Sequence, residues 1–218
     1  MKEPIVQLKK LPFYKVIVFG FGQLGWSLCA YGSVNLLNYF YFPPESGKVL
    51  FPSFISQNLI FGIFTIIGLI GFGSRIFDAI TDPIIAGFSD RSKFKLGRRM
   101  SFMAISALPM SIFSFLMFFP LAKSSSMLNI IWLVFTSLAF FIFLTMYCVP
   151  YFALAAELGH TTKERLTIVT VAAIFYNIGA FIGGQIYQLM PKIKPYFKSL
   201  SDDPKILHTY SFQAVLFG

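Results

Sequence analysis

Five apolar stretches, each long enough to cross a bilayer, limit what this chain can fold into. A membrane-spanning helix needs about 20 consecutive apolar residues. The stretches cover approximately residues 14–42, 58–88, 100–121, 128–156 and 167–190, and a further one begins at 208 and reaches the last residue, 218. Because lipid offers no partners to backbone N–H and C=O groups, we expect each stretch to be a helix. The sequence therefore predicts an all-α membrane protein.

The charged residues fit a membrane protein better than a nucleic-acid-binding one. Only 12% of the residues are charged, against roughly 25% in soluble domains. The net charge is +9, but the Lys and Arg residues form short clusters between the apolar stretches. This is the pattern of the positive-inside rule. We expect the lipid bilayer, and not a nucleic acid, to be the partner of this surface.

The distribution of Lys and Arg also predicts an orientation. On one side of the membrane, eleven of these residues lie in segments 1–15, 89–99 and 157–166. On the other side, six lie in segments 43–57, 122–127 and 191–207. Cytoplasmic loops carry the excess of positive charge. We therefore expect a cytoplasmic N-terminus and a location in the plasma membrane, the inner membrane in a bacterium.

One motif suggests an enzyme but lacks the necessary context. GFGQLG at 20–25 is similar to a dinucleotide-binding fingerprint, which requires a strand before it and an amphipathic helix after it. Here the apolar sequence continues without interruption to Phe42. We interpret these glycines, and the GxxxG pair of the fifth stretch, as points of close helix–helix contact: Gly20, Gly22, Gly25, Gly179 and Gly183.

Residue types that build catalytic or metal centres are sparse. The only histidines, His160 and His208, lie near loops without metal-ligand spacing. The only cysteines, Cys29 and Cys148, lie inside apolar stretches without CxxC spacing. We expect no enzymatic activity and no cofactor or metal other than a transported ion.

The second stretch carries the residues most indicative of function. Arg75, Asp78 and Asp82 are spaced i, i+3 and i+7, so they share one face of a helix. Each charge inside a span costs about 2.5–3.5 kcal/mol on insertion scales and usually marks an ion or substrate pathway. Counted from Asp90 at about 1.5 Å per residue, Asp82 lies roughly 12 Å and Asp78 roughly 18 Å deep.

Two carboxylates one turn apart repel each other, which predicts a bound proton or cation between them. Pro83 supports a cation, because it leaves the Ala79 carbonyl without a helical partner and so supplies a further oxygen ligand. The alternative is that Arg75 forms salt bridges with Asp78 and Asp82 and only fixes helix packing.

Three polar residues in other stretches extend this hypothesis. Thr145 lies at the depth of Asp78 and could complete a cation site, although hydroxyls within spans often bond to their own helix. Ser27, at a similar depth, and Asn177 are candidates for the wall of a solute cavity. Hydrogen bonding between helices is the alternative for both.

The loop after the second stretch, DRSKFKLGRR at 90–99, has two compatible interpretations. Its basic residues could anchor the protein to anionic lipid. Asp90, Arg91, Arg98 and Arg99 could also pair with neighbouring helix ends and hold a cytoplasmic gate closed.

These motifs together resemble a known family. RIFDAITDP at 75–83, DRSKFKLGRR at 90–99, TMYCVPYFAL at 145–154 and the glycine spacing of the first stretch are similar to the melibiose-permease group. These are the glycoside–pentoside–hexuronide:cation symporters of the major facilitator superfamily, and the similarity covers roughly residues 14–190.

The resemblance implies that Asp78, Asp82 and Thr145 bind Na⁺, H⁺ or Li⁺. It also implies two six-helix bundles with a small solute bound between them. This chain would be the N-terminal bundle with an incomplete sixth helix at 208–218. A C-terminal half, in the same or a separate chain, would be required for transport.

The sequence departs from the sugar-binding members of this group at four positions. Ser27 and Cys148 replace aspartates, Phe152 replaces a tryptophan, and Ala173 replaces an arginine. With Asn177, these are the candidate residues of the solute cavity. The resemblance implies a sugar or glycoside. The departures leave a less polar solute as the alternative, such as a lysophospholipid, which is carried by relatives with a similar second-helix motif. A non-transporting scaffold or sensor of the same fold is the alternative from another class.

Overall fold

The computed structural model describes residues 11–41, 54–56, 65–92, 97–122 and 125–197, apart from the side chains of residues 39 and 186–197. These ranges contain five helices and no strand: α1 (Phe13–Tyr41), α2 (Ile66–Arg91), α3 (Arg98–Leu116), α4 (Met127–Leu158) and α5 (Thr162–Phe197). The stretch predicted at 208–218, like residues 58–64 of the second stretch, lies outside the described residues.

The C-terminus of α3 and the N-terminus of α5 each lie five residues from the predicted limit. α3 ends at Leu116, five residues before the predicted limit, because the chain tightens there: Phe118 N–H donates to the Phe115 carbonyl at 3.1 Å, and Pro120 follows without an N–H to donate. α5 begins five residues before its predicted limit. Its N-terminus is a capping box, in which the Thr161 hydroxyl accepts from Glu164 N–H at 3.2 Å and the Glu164 carboxylate accepts from Thr161 N–H at 3.3 Å.

Hydropathy separates α2 from the other described helices. Four segments are long and apolar enough to cross a membrane: Phe13–Asn38, Arg98–Leu116, Met127–Leu158 and Thr162–Gln185. α2 has the necessary length, but every 18-residue part of it contains Arg75, Asp78 and Asp82. The residues that make α2 too polar by composition are therefore the three that the sequence singled out.

α1 packs along α5, and glycines allow the close approach of the two backbones. A Cβ at Gly179 would collide with the Ser27 hydroxyl and would lie 2.8 Å from the Leu24 carbonyl. A Cβ at Gly183 would lie 2.9 Å from the backbone nitrogen of Gly32. The predicted role of the GxxxG pair as a close helix contact is confirmed.

The glycines of α1 behave differently from one another. A Cβ at Gly20 would meet the Phe175 ring at 2.8 Å, and one at Gly22 would meet the Tyr151 ring at 2.9 Å. No atom of another described helix lies within 4 Å of the Cβ position of Gly25. The expectation of a close helix contact at Gly25 is therefore wrong, since this glycine faces a groove between α1 and α3.

α2 and α3 pack on α4, and hydrogen bonds join this group to α1 near both ends of that helix. The Tyr151 hydroxyl of α4 donates to the Phe19 carbonyl at 2.6 Å. At the other end of α1, the Tyr41 hydroxyl donates to the Met117 carbonyl at 2.8 Å. Between these joints, the pair α1/α5 and the group α2/α3/α4 enclose a cavity.

Candidate functional site

The cavity lies between α1, α2, α4 and α5 and has a volume of about 400 Å³. Its wall combines acidic, basic, hydroxyl and aromatic groups with apolar side chains. The lining residues are Trp26, Ala30, Tyr31, Val34, Asn35, Arg75, Asp78, Asp82, Phe141, Leu144, Thr145, Cys148, Val149 and Tyr176. The three residues predicted to bind a cation therefore lie on one cavity.

α2 supplies the charged part of this wall. Arg75, Asp78 and Asp82 all line the cavity, as expected from their spacing along one helix face. α2 continues through Pro83 to Arg91 without interruption. The proline therefore does not break the helix that positions the two carboxylates.

Asp78 has one carboxylate oxygen without a donor. Its side chain is only 21% exposed, and its Oδ2 lies 3.8 Å from Arg75 Nη1, too far for a hydrogen bond. Its Oδ1 is fully buried and accepts no hydrogen bond within the described part of the chain. The Arg75 side chain is 82% exposed. The alternative in which Arg75 locks the acids into helix packing is thus not what the geometry favours.

Thr145 approaches the Asp78 carboxyl group from α4. Its side chain is buried, lines the same cavity and interacts with Asp78. Other span hydroxyls bond to their own helix: Thr81 donates to the Phe77 carbonyl at 3.0 Å, and Thr136 donates to the Trp132 carbonyl at 2.8 Å. Thr145 has no such bond to its own helix among the described contacts, and its hydroxyl interacts with the Asp78 carboxyl group instead.

Three aromatic rings face these groups from α1 and α5. The Trp26 and Tyr176 rings stack with centroids 5.4 Å apart, and the Tyr31 ring meets Tyr176 edge-on at 5.8 Å. The hydroxyls of Tyr31 and Tyr176 are hydrogen-bonded at 2.6 Å. We call these three residues the aromatic wall.

Sequence reasoning missed the aromatic wall, although part of the signal was available. Trp26, Ala30, Tyr31, Val34 and Asn35 follow the three- and four-residue spacing of one helix face. Tyr176 carries no comparable signal, because its place in the cavity depends on the packing of α5 against α1.

Five residues were predicted to line the solute cavity: Ser27, Cys148, Phe152, Ala173 and Asn177. Only Cys148 does so. Ser27 is instead fully buried where α1 meets Gly179, and its hydroxyl donates to the Leu24 carbonyl at 3.0 Å. Close packing of the two helices thus removes Ser27 from the cavity. This corrects the expectation for Ser27.

The remaining three candidates lie outside the cavity. Phe152 is 53% exposed and touches the aromatic wall only through an edge contact with the Trp26 ring at 5.8 Å. Ala173 and Asn177 lie on a separate, open groove along α5, where the Asn177 amide donates to the Ala173 carbonyl at 2.7 Å. The rotation of α5 that brings Tyr176 inward turns both of these residues outward.

A second charged cluster joins the ends of α2, α3 and α4. Arg99 Nη2 lies 3.3 Å from Asp90 Oδ1 and 3.1 Å from Glu157 Oε1. Arg98 Nη2 lies 3.4 Å from the same Glu157 oxygen. Arg91 forms no ion pair with another described residue within 4.0 Å. We call Asp90, Arg98, Arg99 and Glu157 the charge clamp.

Glu157 is the member of the charge clamp that sequence reasoning did not assign. In the sequence, Glu157 is simply the first residue after the fourth apolar stretch. Its position at the end of α4, which packs against α3, places it beside the Arg98–Arg99 pair at the start of α3. The clamp joins helix ends within this chain.

Comparison with known proteins supports a membrane transport role. A family model described as MFS/sugar transport protein matches residues 18–216. The chain is 26% identical over 132 residues to the uncharacterized symporter YnaJ of Bacillus subtilis, which covers 61% of this chain and 28% of the relative. It is 27% identical over 187 residues to the uncharacterized symporter sll1374 of Synechocystis sp., covering 84% of this chain and 31% of the relative.

A third relative has a named substrate. The chain is 29% identical over 123 residues to the sodium-dependent lysophosphatidylcholine symporter 1 of Xenopus tropicalis, covering 54% of this chain and 23% of the relative. The matched regions amount to between 23% and 31% of the length of these curated relatives.

Proposed function

Because the chain belongs to the MFS/sugar transport protein family, we propose that it is the ion-binding half of a cation-coupled symporter for a small solute. The family match confirms the resemblance drawn from residues 75–83 and 90–99. It also confirms, with the described helices, an all-α integral membrane protein of a transporter family. Na⁺ or H⁺ is the proposed coupling ion.

The buried, unpaired oxygen of Asp78 carries this proposal. A buried carboxylate without a donor is costly, whereas a bound cation or proton removes the cost. Asp82 supplies a second carboxylate on the same cavity, and Thr145 supplies a hydroxyl oxygen beside Asp78. Oxygen ligands of this kind suit a hard cation.

Coupling requires the ion to favour one conformation. A ligand shifts an equilibrium only by its difference in affinity between two states. The ligands come from α2 and α4, so a cation between them draws those two helices together on one side of the cavity. We propose that this arrangement is the solute-accepting state.

Two solute classes suit the proposal. The family description favours a sugar or glycoside. The relative from Xenopus tropicalis favours a lysophospholipid, as does the replacement of an aspartate of the sugar-binding members by Cys148 on the cavity wall.

The remaining parts of the proposal concern topology. We propose a cytoplasmic N-terminus, a bacterial inner or other plasma membrane, and a C-terminal half that completes the solute path. The length of the relatives supports the last point. The charge clamp would then lie on the cytoplasmic side, where it would hold α2, α3 and α4 together as part of a gate.

Gradient-driven uptake tests the proposal. Vesicles containing the chain and its C-terminal half are given a Na⁺ or proton gradient, and entry of labelled methyl β-galactoside or lysophosphatidylcholine is followed. Asp78→Asn and Asp82→Asn should abolish gradient-dependent uptake at unchanged protein abundance. Thr81→Val is the control, because Thr81 lies on the same helix outside the cavity lining and its hydroxyl bonds only to backbone carbonyls of that helix. Uptake that survives both cavity substitutions would falsify the proposal.

A further inference from the structure

We propose that the aromatic wall of Trp26, Tyr31 and Tyr176 is the solute-binding surface of the cavity, and that it receives an electropositive C–H face of the solute. Such a face is found on a sugar ring and on the methyl groups of a quaternary ammonium. This inference rests on the proposed transport function and specifies the substrate chemistry of the same cavity.

The two sides of the cavity come from different helices. Asp78, Asp82 and Thr145 belong to α2 and α4, whereas the aromatic wall belongs to α1 and α5. A cation held on the first side therefore leaves the aromatic side open to a second ligand. Ion and solute can occupy one cavity of about 400 Å³ and contact each other.

The wall offers ring faces and a single phenol proton that is not used within the wall. Because the Tyr31 and Tyr176 hydroxyls bond to each other, one of the two protons is already used in this contact. The face of an aromatic ring is electron-rich and attracts cations and polarised C–H groups. Asp78, Asp82 and Arg75 on the opposite side together leave one net negative charge there before a cation binds.

Helix packing alone does not account for the wall. The close contact between α1 and α5 is already made at Gly179 and Gly183, where backbone meets backbone. Tyr31 remains 39% exposed and Tyr176 is half-buried. Aromatic surface that is left open toward a cavity with charged groups is a binding surface and not only a filler of the core.

The wall contains its own spectroscopic probe. The chain has two tryptophans, Trp26 and Trp132, and Trp132 lies outside the cavity, where it donates to the Leu116 carbonyl at 3.3 Å. In a Trp132→Phe parent, fluorescence therefore reports on the wall alone. The purified chain is titrated with methyl β-galactoside, lysophosphatidylcholine and lysophosphatidic acid; the last lacks the quaternary ammonium.

We expect one of the two electropositive probes, methyl β-galactoside or lysophosphatidylcholine, to bind and to change the Trp26 fluorescence. Lysophosphatidic acid should bind at least tenfold more weakly than that probe. Tyr176→Leu should weaken that binding by about tenfold, the scale of one cation–π contact. Tyr176→Phe keeps the ring and should stay within about twofold. Phe181→Leu, an exposed aromatic on the same helix, is the matched control and should have no effect.

Na⁺ binding to the same proteins distinguishes a failure of the aromatic wall from a failure of the proposed cation-coupled transport. The wall variants should bind Na⁺ as the parent does, which also shows that they are folded. The aromatic wall is not the solute-binding surface if Tyr176→Leu binds solute as the parent does, or if the parent binds neither electropositive probe. Either result leaves the proposed cation site unaffected. A parent that binds neither Na⁺ nor protons contradicts the proposed function instead.

Discussion

Helix α2 places aspartates in two contrasting settings. Asp78 lies on the cavity, where its Oδ1 is buried and accepts no hydrogen bond from another described residue. Asp90 lies three turns further along, where its Oδ1 is 3.3 Å from Arg99 Nη2. Asp78 thus has one carboxylate oxygen without a donor among the described residues, whereas Asp90 has an arginine partner.

The difference shows how one residue type can have two roles in one helix. The charge clamp neutralises its acids with guanidinium groups, so its effect is to join helix ends. The cavity provides only Arg75, whose Nη1 is 3.8 Å from one oxygen of Asp78. Partner geometry, and not residue type, distinguishes the proposed cation site from the charge clamp.

The largest expected effect is the loss of cation-dependent stability in Asp78→Asn. At a Na⁺ concentration of 100 times Kd, the parent should gain about 2.7 kcal/mol of stability, and the variant should gain almost none. Without cations, the stability of the variant should stay close to that of the parent, because the amide has the size of the carboxyl group and the ion pair that it replaces, with Arg75, is 3.8 Å long. Thermal unfolding of the purified protein with and without Na⁺ measures both. Equal stabilisation of parent and variant would remove Asp78 from the site.

A smaller effect is expected from Arg99→Met in the charge clamp. The Arg99 side chain is only 15% exposed and contacts both Asp90 and Glu157. Its removal breaks two ion pairs whose carboxylates are 57% and 44% exposed. Since each such pair contributes about 0–1 kcal/mol, the variant should lose about 1 kcal/mol of unfolding free energy. Na⁺ affinity should not change. A tenfold loss of Na⁺ affinity in this variant would show that the two regions are not independent.

The smallest effect is expected from Asp90→Asn. This side chain is 57% exposed, so its ion pair is screened by solvent, and such pairs contribute about 0–1 kcal/mol. Thermal unfolding of Asp90→Asn beside Arg99→Met measures the difference. If Asp90→Asn loses as much unfolding free energy as Arg99→Met, the Asp90 ion pair supplies the stability of the charge clamp and the Glu157 ion pairs do not.

Local features of the sequence were sufficient for much of this description. Hydropathy and the cost of unpaired backbone in lipid predict helices, and the spacing of Arg75, Asp78 and Asp82 predicts a shared face. The GxxxG pair predicts a close contact for the same reason, since a small residue every fourth position forms a smooth strip.

Relations between helices could not be predicted in this way. Ser27 shares the estimated depth of Asp78, but depth does not show which side of α1 a residue occupies, and Gly179 fixes that side by packing on it. Ala173 and Asn177 point away from the cavity while Tyr176 points into it, because the rotation of α5 is set by contact with α1. The role of Glu157 depends on the packing of α4 against α3, which places it beside Arg98 and Arg99.

Equilibrium binding of ²²Na⁺ to the purified chain, with protons released measured in the same titration, tests the cation site most directly. We expect the parent to bind Na⁺ in competition with protons, and Asp78→Asn neither to bind Na⁺ nor to exchange the proton. Parent and variant that bind the same amount of Na⁺ and exchange the same number of protons would contradict it.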